Sequence, residues 1–195
     1  MTLKRIILLF CISLFVFQAE AQSDYESFYQ RSQRNTNTGM YVLGSWAIVN
    51  IAAGAYGMST KSGSSKYFYQ MNLFWNTVNL GIAGYALVSG YGDTAVLSAQ
   101  QMLDKHLTTE KVLLINAGLD VLYMAGGAFM ISQSKNSVKR PELLKGYGQS
   151  LLLQGGFLLV FDTTLYAIQH HLSNHFLQNM QLSLGPQSFQ LTIGF

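Results

Sequence analysis

The sequence predicts an all-α membrane fold, a four-helix bundle of two helical hairpins, and three observations lead there. Charged residues make up 11% of the 195-residue chain and hydrophobic ones 49%, against a charged share of about 25% in soluble domains. Four stretches, 40–58, 67–91, 112–131 and 146–172, are apolar and nearly free of charge. As helices they are long enough to cross a hydrocarbon layer about 30 Å thick. Their polar residues recur at helical intervals: Asn72, Asn76 and Asn79 lie four and three apart and so share a face. Lipid does not solvate an amide, so that face must look into protein.

The N-terminus reads as an export signal. Lys4 and Arg5 precede an apolar run at 6–17, and Ala19-Glu20-Ala21 forms an A-x-A site, so residues 1–21 are expected to be removed. That cleavage takes away Cys11, the single cysteine, and no disulfide is expected. In the segment 22–38, Ser23 and Glu26 have capping-box spacing, and Tyr25, Phe28 and Tyr29 follow at helical intervals. This predicts a short surface helix, ended by the Asn-Thr-Asn-Thr-Gly run at 35–39.

The membrane domain then occupies 39–172. In its first span, Ala52, Ala53, Gly54 and Ala55 are small enough for helices to approach closely. A tight loop at 59–66 leads into the second span, rich in asparagine. Val96, Ala99, Leu103 and Leu107 recur as on an amphipathic helix, which predicts a second surface helix over 94–108. The third span carries Asn116 and Asp120, and a basic loop at 132–145, broken by Pro141, precedes the fourth span with Gln154, Asp162 and Gln169. In the tail, 173–195, Met180, Leu182 and Leu184, then Phe189, Leu191, Ile193 and Phe195, alternate across Gly185-Pro186, the pattern of a β-hairpin.

Charge sets the expected orientation. Lys61, Lys66, Lys135, Lys139, Arg140 and Lys145 gather in the two loops that a cleaved signal leaves inside. The positive-inside bias therefore agrees with a bacterial inner-membrane protein whose two termini are both extracytoplasmic. The expected partners are the lipid bilayer and a protein at the outer face. A net charge of +3, scattered along the chain, gives no footprint for nucleic acid. An internal echo is also visible: Gly54-Ala55-Tyr56 ends the first span as Gly127-Ala128-Phe129 ends the third, and Lys66 and Gln70 open the second as Lys145 and Gln149 open the fourth. Such hairpins would form a parallel repeat about the membrane normal.

Depth picks out a candidate site. Asp120 lies nine residues from Lys111 and Asp162 nine from His171, which sets both carboxyls about 13 Å below one surface at 1.5 Å per residue. Asn50, Asn76, Asn79 and Asn116 complete a polar layer near that level. The layer is either a binding site for a proton, cation or small polar solute, or a knot that only fixes helix packing. His171 and His175, four apart, with His106 nearby, are candidate metal ligands that would point to a metal- or haem-linked enzyme. Against this stand four solvent-side histidines that need no metal, and no cofactor is expected. No nucleophile elbow, Walker loop, haem-attachment pair or HExxH occurs, so no enzyme class is indicated. The expected function is a non-enzymatic binding or scaffold bundle.

Gln70-Met71-Asn72-x-x-Trp75-Asn76-x-x-Asn79, together with Trp46-x-x-x-Asn50, resembles a family of small bacterial membrane proteins known as a domain of unknown function. The resemblance is best over the first hairpin. It implies an exported N-terminus and four helices, and it implies no activity, ligand or catalytic residue.

Overall fold

The computed structural model describes residues 3–91 and 97–183, with side chains over 23–89 and 97–180. Among these residues all regular secondary structure is helical: α1 (Leu3–Thr60), α2 (Gly63–Tyr91), α3 (Ala99–Ser134) and α4 (Pro141–Ser183).

The helices are longer than the expected spans. α1 runs without a break through the leader segment, the expected surface helix and the first span. Ser23 is therefore inside a helix and caps nothing. The Asn-Thr-Asn-Thr-Gly run does not stop α1 because its polar groups find partners within the helix. Thr36 and Thr38 donate their hydroxyls to the carbonyls of Ser32 and Arg34, at 3.1 and 2.9 Å. Gly39 is a packing site: a Cβ there would lie 2.7 Å from Leu165 Cδ2, so the missing side chain admits α4.

The second surface helix is likewise the start of α3. Ser98 caps it with a capping box, its hydroxyl accepting from Gln101 N while Gln101 Oε1 accepts from Ser98 N at 2.9 Å. α3 then continues through the third span. Pro141 is the first residue of α4, where its missing N–H leaves no bond unmade. Only Lys61 and Ser62 separate α1 from α2, and the turn is made by Gly63, whose φ of +59° is favourable only for glycine. In the tail, Met180 and Leu182 belong to α4; the rest of the expected β-hairpin, from 184 onward, lies outside the described residues.

α1 pairs with α2 and α3 with α4, and the two hairpins join along α2 and α4. These two helices start side by side. A Cβ on Gly146 would meet the Ser64 carbonyl and Tyr67, and the Tyr67 and Tyr147 rings stand edge to face at 6.1 Å. The loops and first turns at this basic end carry Lys61, Lys66, Lys135, Lys139, Arg140 and Lys145. The opposite, histidine end carries His106, His170, His171 and His175. Each hairpin is seated by the same contact. A Cβ on Gly54 would lie 2.9 Å from both Tyr69 O and Leu73 N; one on Gly127 would lie 2.7 Å from Gly148 O and 3.2 Å from Leu152 N.

Polarity is distributed inside out. Among the described residues the buried set includes Asn72, Asn76, Gln154, Asp162 and Gln169, while Phe74, Val78, Ile82, Leu122, Phe129 and Val160 face outward. This is the reverse of a water-soluble core and suits a lipid surround. Three helical segments, Ser23–Thr60, Ala99–Ser134 and Pro141–Met180, are long and apolar enough to cross a membrane. α2 is not among them, because its charge-free stretch is diluted by the three asparagines that it turns inward.

Candidate functional site

Two polar centres and a hydrogen-bonded ring are buried along the bundle. The ring is nearest the basic end and ties three helices together. Trp46 Nε1 on α1 donates to Gln154 Oε1 on α4 at 3.1 Å, and Gln154 Nε2 donates to Asn72 Oδ1 on α2. Asn72 Nδ2 donates to Asn50 Oδ1 at 2.9 Å, and Asn50 Nδ2 returns to the Trp46 carbonyl at 2.8 Å. The circuit is closed. Its indole also stacks on Phe157, with ring centroids 3.9 Å apart. Asn76 hangs from the ring by its amide, which donates to Asn72 O at 2.8 Å, and leaves its own Oδ1 buried and unpartnered.

About two turns further along α4 lies the first centre. Asp120 on α3 and Asp162 on α4, only 2% and 5% exposed, lie close enough for each carboxyl to act on the other. Neither has an ion-pair partner among the described residues, where both ion pairs belong to Glu110. Asp120 Oδ2 and Asn79 Nδ2 are buried without partners. Of the residues singled out from the sequence, then, Asn50 and Asn76 belong with the ring, Asp120 and Asp162 form the pair, and Asn79 is buried one turn beyond Asn76. Asn116 is half-buried, with no hydrogen bond joining it to the others.

The second centre lies at the histidine end, where α3 has not yet reached its apolar stretch beyond Lys111. His106 is fully buried. Its Nε2 lies 2.8 Å from Glu110 Oε1, and its Nδ1 lies 2.7 Å from Ser32 Oγ on α1. Glu110 also receives Ser173 Oγ at 2.6 Å and His170 Nδ1 at 3.1 Å. Burial raises the Glu110 carboxyl, but the hydrogen bonds from Ser173, His170 and His106 outweigh it and hold Glu110 below its ordinary value. Burial also pushes the His106 imidazole below its ordinary value, against the pull of Glu110 and the Gln169 carbonyl. A carboxylate only accepts, so Nε2 carries the imidazole proton and Nδ1 accepts from the Ser32 hydroxyl.

The candidate metal ligands are not brought together. His106 is turned to Ser32 and Glu110, His171 is exposed, and His175 is exposed with its Nδ1 3.1 Å from Asn179 Nδ2. Among the described residues no cluster of three such side chains is placed to hold a metal ion.

A profile for a family of unknown function, DUF6992, matches residues 42–163, more than half of the chain. The chain belongs to this family. The DUF6992 match spans the whole ring and both aspartates, and it takes in His106 and Glu110 but not Ser32, His170 or Ser173. No curated protein and no solved structure matches the chain.

Sequence reasoning passed over two features. Gln154 was visible as a polar residue in a span, yet its partners lie 82 and 108 residues away and no spacing announces them. His106 and Glu110 did carry a signal, the four-residue step that puts them on one helical face. Ser32 carried none.

Proposed function

We propose that the protein is an integral membrane bundle that binds a proton, or a small cation in its place, between Asp120 and Asp162. α2 is then a fourth crossing, with its asparagines inward and Phe74, Val78 and Ile82 toward lipid. The basic end faces the cytoplasm of a bacterial inner membrane and the histidine end faces outward, as the positive-inside bias favours.

The observation that supports this reading is the burial of two carboxyls within reach of one another and without a basic partner among the described residues. Two neighbouring carboxyls buried without a cation do not both ionise, so the pair holds a proton. Acids at this depth are costly and mark sites that take up or release charge. The closed ring is a poorer candidate, since its members spend their hydrogen bonds on one another and have the character of packing.

The test is infrared difference spectroscopy of the protein in lipid nanodiscs, comparing acid and neutral samples of the parent with Asp120→Asn and Asp162→Asn. A carboxylic-acid band that both substitutions remove is expected. A parent with no such band, while both variants fold as it does, would leave the pair as packing alone.

A further inference from the structure

The histidine end holds a second arrangement, and its chemistry differs from that of the aspartate pair. Ser32, His106 and Glu110 stand in line: hydroxyl to imidazole at 2.7 Å, imidazole to carboxylate at 2.8 Å. They come from α1 and α3, residues 74 apart in sequence, so the alignment is made by the fold and not by local helix geometry.

We propose that Ser32, His106 and Glu110 form a nucleophile, base and orienting carboxylate for hydrolysis of a carboxylic ester at the membrane surface. A nucleophilic serine needs a neutral base within about 2.6–3.2 Å and a third group that fixes the base's orientation and tautomer. All three requirements are met. Glu110 is held as an acceptor by three donors, so it fixes the proton on Nε2 and leaves the Nδ1 lone pair facing the Ser32 hydroxyl. The ring nitrogens are exchanged relative to the arrangement of serine proteases, which alters no proton count, since either nitrogen can act as base once the other is tied to a carboxylate.

The group, itself buried, borders a cleft. Ser32 and His106 form part of the wall of a cleft of about 890 Å³ between α1, the end of α2 and the start of α3, within the size range of small-molecule sites. The cleft wall mixes amide and phenol groups, Gln33, Asn37 and Tyr85, with the charged Glu26 and Asp104 and the apolar Met102. Such walls suit an ester with a polar head. Gln33, whose amide donates to the Tyr29 hydroxyl, and Asn37 both line the cleft, and donors of this kind are what a developing oxyanion requires. Because Ser32 precedes the apolar part of α1 and His106 that of α3, the cleft opens where a membrane-resident ester meets water.

The step balances with water as the second reactant. Ser32 Oγ attacks the ester carbonyl carbon while its proton passes to His106 Nδ1, and Glu110 faces the resulting imidazolium. Collapse breaks the bond to the alcohol oxygen, which takes that proton and leaves as the alcohol, so that Ser32 is acylated. Water then gives a proton to Nδ1 and attacks the acyl carbon; the bond to Oγ breaks, Oγ recovers the proton, and the carboxylic acid departs. Ser32 and His106 are the catalytic residues and Glu110 is a positioning residue.

The full-length protein in mild detergent, treated with a fluorophosphonate probe and mapped by peptide mass spectrometry, decides the matter without any variant. Covalent modification at Ser32 is expected. p-Nitrophenyl butyrate hydrolysis should then fall by about 100-fold or more in Ser32→Ala and His106→Gln and remain unchanged in Ser59→Ala at the far end. Glu110→Gln separates positioning from packing, because it should lower the rate and move the acid limb of the pH profile to lower pH, whereas a packing defect would scale the whole profile. An unmodified Ser32 in folded parent protein, or ester hydrolysis no faster than in buffer, would overturn the proposal. Either result leaves the infrared test of the aspartate pair untouched.

Discussion

Gln154 of α4 donates its amide to Asn72 of α2 and accepts the indole N–H of Trp46 of α1, so one side chain spans the seam between the two hairpins. Gln154→Leu removes both bonds and leaves the half-buried Trp46 N–H without its partner. The expected loss is about 2–3 kcal/mol, read from reversible unfolding in mixed micelles. A loss within error of zero would mean that the ring does not hold the seam.

The aspartate pair should behave as a unit. Asp120→Leu and Asp162→Leu each strand one buried carboxyl, at an expected cost of about 1–3 kcal/mol. The double variant strands none, so its cost should fall clearly short of the sum. Additive costs in the same unfolding assay would show that the two carboxyls do not act on each other.

Acid should loosen the histidine end first. His106 has a folded value below its ordinary 6.5, so the stability it contributes is present above that value and is lost as pH falls below it. Glu110 has a folded value below its ordinary 4.5, so its contribution is present above 4.5 and is lost as pH falls through the folded value. The signs agree. Hydrogen-exchange protection near Ser32 and His106, corrected for the intrinsic rate at each pH, should therefore fall between neutral pH and about pH 5, while the ring around Asn72, which has no titrating member, keeps its protection. Equal loss at both places would contradict this.

Glycines in the bundle should divide into two classes. Gly127→Val should disrupt the α3–α4 contact, because a Cβ already meets Gly148 O at 2.7 Å and that carbonyl belongs to a helix backbone. Gly126→Ala, one residue away, meets nothing within 4 Å and should raise stability by up to about 1 kcal/mol through helix propensity. Thermal unfolding of the two variants checks both signs.

The all-helical fold and the inward face of α2 were legible because a helix repeats its own geometry, and Asn72, Asn76 and Asn79 announce it. The equal depth of Asp120 and Asp162 was legible for the same reason, since rise per residue converts a count into a level. Helix ends were not. The run at 35–39 has the composition of a stop, and it is overridden both by the Thr36 and Thr38 bonds within the helix and by the packing of Leu165, more than a hundred residues away, at Gly39. The Ser32 contact to His106 belongs to the same class, a meeting of distant residues that only packing creates.

The closed circuit of Trp46, Gln154, Asn72 and Asn50 has a consequence for traffic through the bundle. Its amides are donors and acceptors already engaged with one another, and it lies between the aspartate pair and the basic end, so a file of water cannot pass it without breaking bonds in the seam. If the aspartate pair exchanges a proton as proposed above, exchange by way of the basic end requires this ring to open, so loosening the ring by Gln154→Leu should speed exchange from that side.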